Sequence, residues 1–252
     1  MAMADDLTVK IENLSKGFSG TPVLDSVSLH VVTGENLVVF GRSGTGKSVL
    51  LKCIIGLMKP EGGSVSVFGK DVLHIPIKVL NEIRKDIGFL FQGAALYDSM
   101  SVRQNLEFPL KRNFNFTQKE IDGKIARVLE LVSLSGAVDK MPSELSGGMK
   151  KRIGLARSII TEPRLMLYDE PTTGLDPITS KEISELIINL QKHLKMTSIV
   201  VTHDLMCAKI IADRAIFIKD AKIAYEGSID DLTNSEDKFL NNFFSVDLIK
   251  EN

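Results

Sequence analysis

The spacing of hydrophobic residues divides the chain into segments of different kinds. Between residues 7 and 32 apolar and polar residues alternate, and glycines and a proline separate the short runs. Alternation is typical of half-buried strands, because successive side chains of a strand point to opposite faces. These runs predict a small antiparallel sheet. The unbroken apolar run at residues 37–40 predicts a short buried strand, and the segment 47–57 predicts a helix, so a βα unit follows the sheet.

Helical spacing replaces this pattern between residues 92 and 141. Thr117, followed three residues later by Glu120, has the form of a capping box, in which two side chains satisfy backbone N–H groups at a helix start. Hydrophobic residues then recur every three or four positions until Gly136. This spacing predicts a helix with one buried face.

Strand patterns return at residues 165–168 and 198–202, with helical spacing between them. Thr179 and Glu182 have the spacing of a second capping box, which predicts that this helix starts at Thr179. Two buried strands joined by a helix predict a parallel α/β core.

The last part of the chain combines a hairpin pattern at residues 215–225 with a tail, residues 235–252. The tail contains two hydrophobic pairs at i and i+4 spacing, Phe239 with Phe243 and Leu240 with Phe244. Residues four apart lie on one side of a helix, so a short amphipathic helix is expected. Two interpretations are open: the stripe packs on its own domain, or it reaches a second copy of the chain.

Composition and charge exclude several classes of protein. The 252 residues include 31 Lys and Arg against 32 Asp and Glu, a net charge of −1, and 44% are hydrophobic; these values are typical of a folded globular protein. Balanced charge provides no basic field that would attract nucleic acid. Cys53 and Cys207 have no metal-ligand spacing and are expected to be buried and reduced. We expect no secretory signal at the start, and the apolar segment 49–58 is too short to span a bilayer.

The candidate chemistry begins with a glycine-rich segment between the predicted strand 37–40 and the helix after it. Its sequence is Gly41-Arg42-Ser43-Gly44-Thr45-Gly46-Lys47-Ser48. This matches the phosphate-loop pattern G-x-x-x-x-G-K followed by Ser or Thr, in which backbone N–H groups and a helix N-terminus face the α and β phosphates of a nucleotide. We expect Lys47 to bridge the β and γ phosphates and the Ser48 hydroxyl to bind Mg²⁺. The alternative is a glycine-rich turn without a ligand.

Two acids, Asp169 and Glu170, follow the buried run at residues 165–168. Carboxylates at a buried strand end are costly unless they meet water or a cation at the carboxyl edge of the sheet. Mg²⁺ bound to a nucleotide would supply that cation. We expect Asp169 to contact the metal, through water, and Glu170 to act as the general base for the attacking water. A pair of solvated acids is the alternative.

A third element, Ser146-Gly147-Gly148, begins a helix predicted to run to Ile160 and gives the chain a second anion-binding helix N-terminus. One subunit would have to fold this helix back to bring both N-termini to one nucleotide. A head-to-tail pair, in which each copy covers the phosphate loop of the other, is simpler. The basic run at residues 150–152, Lys-Lys-Arg, is interpreted as a solvated face of the helix.

Taken together, these motifs resemble those of a known family, the ATP-binding subunits of ABC transporters. The matching segments, in order, are the phosphate loop, Gln92, Leu145 to Gly148, Asp169 with Glu170, Gly174-Leu175-Asp176 and His203. The resemblance implies an α/β P-loop ATPase core, with a parallel sheet flanked by helices, an N-terminal antiparallel β subdomain and a helical insert. It also implies ATP hydrolysis coupled to transport, with ATP and Mg²⁺ as cofactors.

The resemblance implies roles for single residues. Phe18 matches the aromatic residue that stacks on adenine, and Gln92 matches the residue that touches Mg²⁺ and the attacking water. His203 matches the histidine that contacts the γ-phosphate, and Asp176 the acid that links the two sites of a dimer. Core packing is the alternative for Phe18, and a structural histidine is the alternative for His203.

Ser146, Gly147 and Gly148 match the family signature that binds the γ-phosphate of the partner copy. The commonest signature has Gln at the next position, where this chain has Met149. Backbone N–H groups and the serine hydroxyl remain, so nucleotide binding is still expected.

A narrower similarity is to the ATPases of Mla/Mce lipid-transport systems, which also share Gly-Met-Lys-Lys-Arg after the signature. The matching segment is Phe91-Gln92-Gly93-Ala94-Ala95-Leu96-Tyr97-Asp98-Ser99-Met100-Ser101-Val102, followed by Asn105-Leu106 and Pro109-Leu110. This similarity implies movement of a phospholipid between membranes, a permease subunit docked at about residues 93–112 and a lipid-binding Mce-type subunit. It implies a peripheral position on the cytoplasmic face of the inner membrane.

We therefore expect one ATP-binding domain over residues 1–252, with a helical insert at about 93–157 and a tail at 235–252. The nucleotide core would comprise about 5–92 and 158–230. Three alternatives remain: the ATPase subunit of a transporter for another small solute, a soluble ABC-type ATPase, and a nucleotide-sensing scaffold without turnover.

Overall fold

A computed structural model describes residues 7–248 of the chain, with side chains described through residue 244. The strands are β1 (Leu7–Phe18), β2 (Thr21–Val32), β3 (Asn36–Gly41), β4 (Gly62–Val67), β5 (Lys70–Asp71), β6 (Ile87–Leu90), β7 (Leu165–Asp169), β8 (Thr197–Val201), β9 (Arg214–Lys219) and β10 (Lys222–Gly227). The helices are α1 (Lys47–Ile54), α2 (Ile77–Lys85), α3 (Val102–Asn113), α4 (Gln118–Leu131), α5 (Gly147–Ile159), α6 (Pro177–Leu194), α7 (Leu205–Ile211), α8 (Ile229–Thr233) and α9 (Lys238–Leu248). No helix within this range has the length and apolar character needed to cross a membrane. The expectation about a secretory signal concerns residues 1–6, which lie outside the described part, as do the last four residues of the tail.

The strands form two sheets. The first is antiparallel, with the order β2-β1-β4-β5, and corresponds to the small sheet predicted near the start of the chain. The second has six strands in the order β10-β9-β3-β8-β7-β6. All of its neighbouring strands run parallel except β10, which forms the predicted antiparallel hairpin with β9.

The six-stranded sheet separates two hydrophobic cores. Along β3, Val38 and Phe40 belong to the core that the helices α3 to α9 complete, whereas Leu37 and Val39 belong to the core shared with the antiparallel sheet and α1. Because successive side chains point to opposite faces, an unbroken apolar strand is required where both faces are covered. The apolar run at residues 37–40 therefore correctly predicted a buried strand.

Helix α4 begins as predicted, whereas the predicted start of α6 is wrong. Thr117 caps α4 in a complete capping box with Glu120. Helix α6 starts at Pro177, and its N-cap is Asp176, whose carboxylate accepts a hydrogen bond from the Thr179 backbone N–H at 3.0 Å. An N-cap Asp followed by Pro at the first helical position starts the helix before the predicted Thr179 cap.

The tail forms helix α9 and packs on its own domain. Leu240 and Phe244 are buried, and the ring of Phe244 meets Phe40 edge to face at 5.2 Å between centroids. Phe217 of β9 contacts Phe239 and Phe243 in the same geometry. Of the two interpretations of the tail, packing on its own domain is thus the one that the structure shows.

The two cysteines are buried and free, as expected. Burial raises the pKa of the Cys53 thiol to about 11 and that of Cys207 to about 12. Both side chains therefore remain protonated thiols and act as small hydrophobic residues.

Candidate nucleotide site

The glycine-rich loop connects the end of β3 to the start of α1, at the carboxyl edge of the six-stranded sheet. Gly46, the N-cap of α1, has φ +93°, and a Cβ there would lie 2.6 Å from the carbonyl oxygen of Val23. Only glycine fits this backbone and this close approach. The sharp turn leaves the N-terminus of α1, with its free N–H groups and positive dipole end, facing the loop, an arrangement suited to an anion.

Lys47 is held at the centre of this loop. Its side chain is 7% exposed, and its ammonium donates to the carbonyl oxygens of Gly41 at 2.7 Å and Arg42 at 3.0 Å. The ammonium also lies 3.8 Å from a carboxylate oxygen of Glu170. Burial lowers the pKa of Lys47, and the negative charges of Glu170 and Asp169 oppose this effect. The Lys47 ammonium is thus buried against two backbone carbonyl oxygens, and a phosphate oxygen bound in the loop would be a further acceptor for it.

Ser48 and Asp169 contact each other directly, although 121 positions separate them in sequence. The Ser48 hydroxyl donates to Asp169 Oδ1 at 2.8 Å. Burial raises the pKa of Asp169, and the hydrogen bond from Ser48 partly offsets this. A hydroxyl and a carboxylate that converge on one point are oxygen ligands of the kind that Mg²⁺ prefers, together with phosphate oxygens and water. The donor set therefore fits a magnesium ion.

Glu170 follows directly on β7 in a left-handed backbone conformation, with φ +52°. Its Oε2 lies 2.8 Å from His203 Nδ1 and accepts a hydrogen bond from the Thr173 hydroxyl at 3.2 Å. Burial acts to raise the pKa of Glu170, but the contacts with His203 and the charge of Lys47 outweigh it and bring the pKa below its usual value. The carboxylate is therefore ionised at neutral pH and can accept a proton.

Lys47, Ser48, Glu170 and His203 border one cavity of about 630 Å³, a volume within the usual range for small-molecule sites. The lining residues are Phe18, Val23, Arg42, Ser43, Gly44, Gly46, Lys47, Ser48, Val49, Gln92, Glu170, Thr173, His203 and Phe243. Phe18 stands at the cavity with 47% of its surface exposed, so it is not a core residue. Asp169 contacts Ser48 beside the cavity, while Thr45 stabilises the loop by donating to the carbonyl of Arg42 at 2.8 Å.

The predicted signature residues and Asp176 do not border this cavity. Ser146 is the N-cap of α5, accepts a hydrogen bond from the Met149 N–H at 3.3 Å and is exposed, as is Gly147. A Cβ on Gly148 would lie 2.8 Å from the side chain of Thr179, so the starts of α5 and α6 are in close contact. Within residues 7–248 the signature and Asp176 therefore form a separate exposed patch, which we call the signature patch (residues 146–148 and 176).

Besides Val23 and Val49, two apolar residues that line the cavity, sequence reasoning missed three residues of this region. Thr173 bonds to Glu170, and Phe243 borders the cavity from the tail helix. The third is Lys151: the interpretation of residues 150–152 as a solvated face is wrong there, because the Lys151 side chain is 6% exposed. The sequence spacing could have indicated this burial, because Lys151 lies four residues before the apolar Leu155 and therefore on the same face of the helix.

A family model described as "ABC transporter" matches residues 24–173 of the chain. The probable ribonucleotide transport ATP-binding protein mkl of Mycobacterium leprae is 36% identical over 95% of this chain and 69% of its own length. The intermembrane phospholipid transport system ATP-binding protein MlaF of Haemophilus influenzae is 39% identical over 91% and 87%. The methionine import ATP-binding protein MetN of Clostridium tetani is 39% identical over 89% and 70%.

Solved structures of ATP-binding cassettes share the fold. A dimeric post-hydrolysis state of the cassette MJ0796, bound to ADP and Pi, aligns with a TM-score of 0.81 at 30% identity over 88% of this chain and 98% of that chain. The structure of cbiO1 from Clostridium perfringens, part of the ABC transporter complex cbiONQ, aligns with a TM-score of 0.83 at 28% identity over 98% and 100%. The predicted fold class is confirmed.

Proposed function

The chain belongs to the ABC transporter family of ATP-binding proteins, and from this premise we propose that its ATP hydrolysis powers the movement of a phospholipid or related lipid between membranes. The chain is the ATP-binding subunit of an ABC transporter, and it is an ATPase. The observation that carries the lipid proposal is the 39% identity to a phospholipid-transport ATP-binding protein over 91% of this chain. The similarity of residues 91–110 to Mla/Mce ATPases supports the same substrate.

For the nucleotide, we assign the phosphates to the loop 41–48 and adenine to Phe18. Lys47 already lies among oxygen atoms at 2.7 and 3.0 Å, and it would bind the β and γ phosphates in the same way. Phe18 borders the cavity and offers an exposed aromatic face for stacking on the base.

For hydrolysis, Glu170 takes the proton of the attacking water, and His203 and Thr173 fix its orientation through Oε2. Ser48, Asp169 and Gln92 would hold Mg²⁺, which when bound neutralises the charge on the β and γ phosphates. Gln92 borders the same cavity as Glu170 and would orient the water.

For the dimer, we assign the signature patch to the nucleotide of a second copy. Ser146, Gly147 and Gly148 lie at the N-terminus of α5, where backbone N–H groups favour an anion, and the patch does not border the cavity of its own chain. A head-to-tail dimer would bring each patch to the partner's phosphate loop. The dimeric MJ0796 cassettes support a dimer of two copies.

For the membrane partner, we assign a permease subunit to residues 93–112, in the helical insert that spans about 93–157. A groove of about 540 Å³ lies here, bordered by Met100, Phe108 and the charged residues of α3. Tyr97 is 44% exposed beside it. The permease, with a lipid-binding Mce-type subunit, would keep the ATPase on the cytoplasmic face of the inner membrane.

The test is to purify the chain with its membrane subunits and to measure the phospholipid that co-purifies, before and after MgATP. We expect the wild-type complex to lose bound phospholipid on adding MgATP, and the Glu170→Gln complex to retain it. A complex that carries no phospholipid, or a chain that purifies without membrane subunits, would contradict the proposal.

A second candidate is import of a small polar solute, because MetN of Clostridium tetani is also 39% identical to the chain. The same complex distinguishes the two. ATPase activity that rises with added methionine or ribonucleotide, and not with phospholipid, would favour this candidate.

A further inference from the structure

Lys151 of α5 contacts both Gln92 and Glu170, the two residues that we propose orient and deprotonate the attacking water. Its ammonium donates hydrogen bonds to the backbone carbonyls of Gln92 and Glu170, the latter at 3.2 Å. Gln92 follows β6 and Glu170 follows β7, so one side chain connects the ends of two neighbouring strands. Because Lys151 is 6% exposed, water does not compete freely for these bonds.

The bond to Glu170 falls on a strained piece of backbone. A left-handed φ of +52° is uncommon for a residue other than glycine and persists where several contacts hold it. The Glu170 N–H donates to the carbonyl of Val201 at 2.9 Å, and the Glu170 carbonyl accepts from the Thr173 N–H at 3.3 Å as well as from Lys151. Lys151 thus helps to maintain the conformation that directs the carboxylate toward His203.

Helix α5 also holds the segment after Gln92 at two further positions. Arg157 donates to the carbonyl of Ala94 at 3.1 Å. At Gly154 the helix lets Ala94 approach so closely that a Cβ on the glycine would lie 2.8 Å from the Ala94 Cβ. The segment 92–94 is therefore attached to the same helix whose N-terminus carries Ser146.

The positive charge of Lys151 also stabilises this arrangement, in addition to its hydrogen bonds. Burial lowers the pKa of Lys151, and the carboxylates of Glu170 and Asp169 act in the opposite direction. An ammonium at this place therefore offsets part of the repulsion between the two neighbouring acids.

We propose that Lys151 is a positioning residue for ATP hydrolysis, which fixes Gln92 and Glu170 relative to each other and ties both to the helix that begins at the signature patch. This inference rests on the water-activating roles proposed for Gln92 and Glu170. A purely structural role, in which Lys151 only stabilises the packing of α5, makes different predictions.

The experiment uses the full chain and compares Lys151→Met, Lys151→Arg and the control Lys150→Met. Methionine keeps the apolar stem but removes both hydrogen bonds and the charge, whereas arginine keeps donors and charge. Lys150 lies one position earlier and hence about 100° around the helix, so its replacement removes the same charge from another face. We expect Lys151→Met to lower kcat by about 10- to 100-fold, since small displacements of catalytic groups have effects of this size.

The distinction from a structural role lies in the other readouts. We expect the KM for ATP and the direct ATP affinity of Lys151→Met to stay within about threefold of wild type, and Lys151→Arg to recover most of kcat. Unchanged kcat in Lys151→Met, an equal loss in Lys150→Met, or a loss of ATP binding in parallel with kcat would overturn the inference. If Lys151→Met does not fold, Lys151→Gln is measured against the same criteria. A wild-type chain that does not hydrolyse ATP would refute the proposed function instead.

Discussion

The Nδ1 atom of His203 lies 2.8 Å from Oε2 of Glu170, although 33 positions separate the two residues. The other carboxylate oxygen, Oε1, lies 3.8 Å from the ammonium of Lys47. Glu170 is therefore held between the end of the phosphate loop and the loop that follows β8. A partly buried carboxylate with a cation on one side and a histidine on the other is held in one orientation, and its lowered pKa keeps it ionised at neutral pH, so it can accept a proton from a water molecule placed beside it.

We expect Glu170→Gln to reduce ATP turnover by about 10²- to 10⁴-fold, the usual effect of removing a general base. The amide has nearly the same shape, so ATP should still bind and hold the proposed head-to-tail dimer closed. Steady-state ATPase rates and size-exclusion chromatography with and without MgATP measure the two effects.

Glu130→Gln is the matched control, because Glu130 is exposed at the end of α4 and does not border the cavity. It should hydrolyse ATP at the wild-type rate. Near-normal turnover in Glu170→Gln would remove Glu170 from the role of base.

His203→Ala should change the pH dependence of hydrolysis. Burial raises the pKa of Glu170, and the hydrogen bond and charge of His203 are the largest of the effects that lower it. Without His203 the pKa of Glu170 rises, so the carboxylate becomes protonated at a higher pH. The acid limb of the kcat profile should therefore move to higher pH, while the ATP affinity at neutral pH changes less than kcat. An acid limb at the wild-type pH would show that His203 does not set the protonation of Glu170.

The sequence predicted the local part of this site better than its long-range contacts. The phosphate loop lies on consecutive residues, and its glycines, lysine and serine are legible from their order alone. The sequence assigned Ser48 and Asp169 separately to Mg²⁺ but did not predict their direct hydrogen bond, which depends on β3 and β7 ending at the same edge of the sheet. The start of α6 was misplaced because Thr179 and Glu182 imitate a capping box, while Asp176 provides the cap.

The burial of Lys151 could not be predicted from composition, because a basic run usually lies in solvent. It becomes buried because the carbonyls of Gln92 and Glu170 converge on it, and these come from segments 59 and 19 positions away. Such a convergence is a property of the tertiary structure.

Asp176 caps α6 and also carries a charge on the signature patch, and substitution can separate the two features. The side chain accepts from the Thr179 N–H at 3.0 Å and the Thr179 hydroxyl at 2.6 Å, and the latter bond is the main reason for its lowered pKa. Asp176→Ala should lower the free energy of unfolding because it removes the cap, whereas Asp176→Asn, an equally good cap, should not. Chemical denaturation measures this difference.

The ATPase rate of Asp176→Asn then tests whether the negative charge of Asp176 is needed for hydrolysis. If Asp176 links the two sites of a dimer, Asp176→Asn should hydrolyse ATP more slowly than wild type at unchanged stability. A wild-type rate in Asp176→Asn would restrict the residue to capping α6.

Phe244→Ala tests the tail helix, which covers the core next to the phosphate loop. Phe244 is 2% exposed and packs edge to face on Phe40, the residue before Gly41. Replacing a buried phenylalanine with alanine removes apolar contact and leaves a cavity, so the free energy of unfolding should fall by about 3–5 kcal/mol. Asn241→Ala, at an exposed position of the same helix, is the control and should leave the free energy of unfolding unchanged.

Because the hydrophobic stripe of α9 packs within its own chain, any Phe244→Ala protein that remains folded should still dimerise with ATP. Wild-type stability combined with lost dimerisation would instead assign the stripe to the partner subunit.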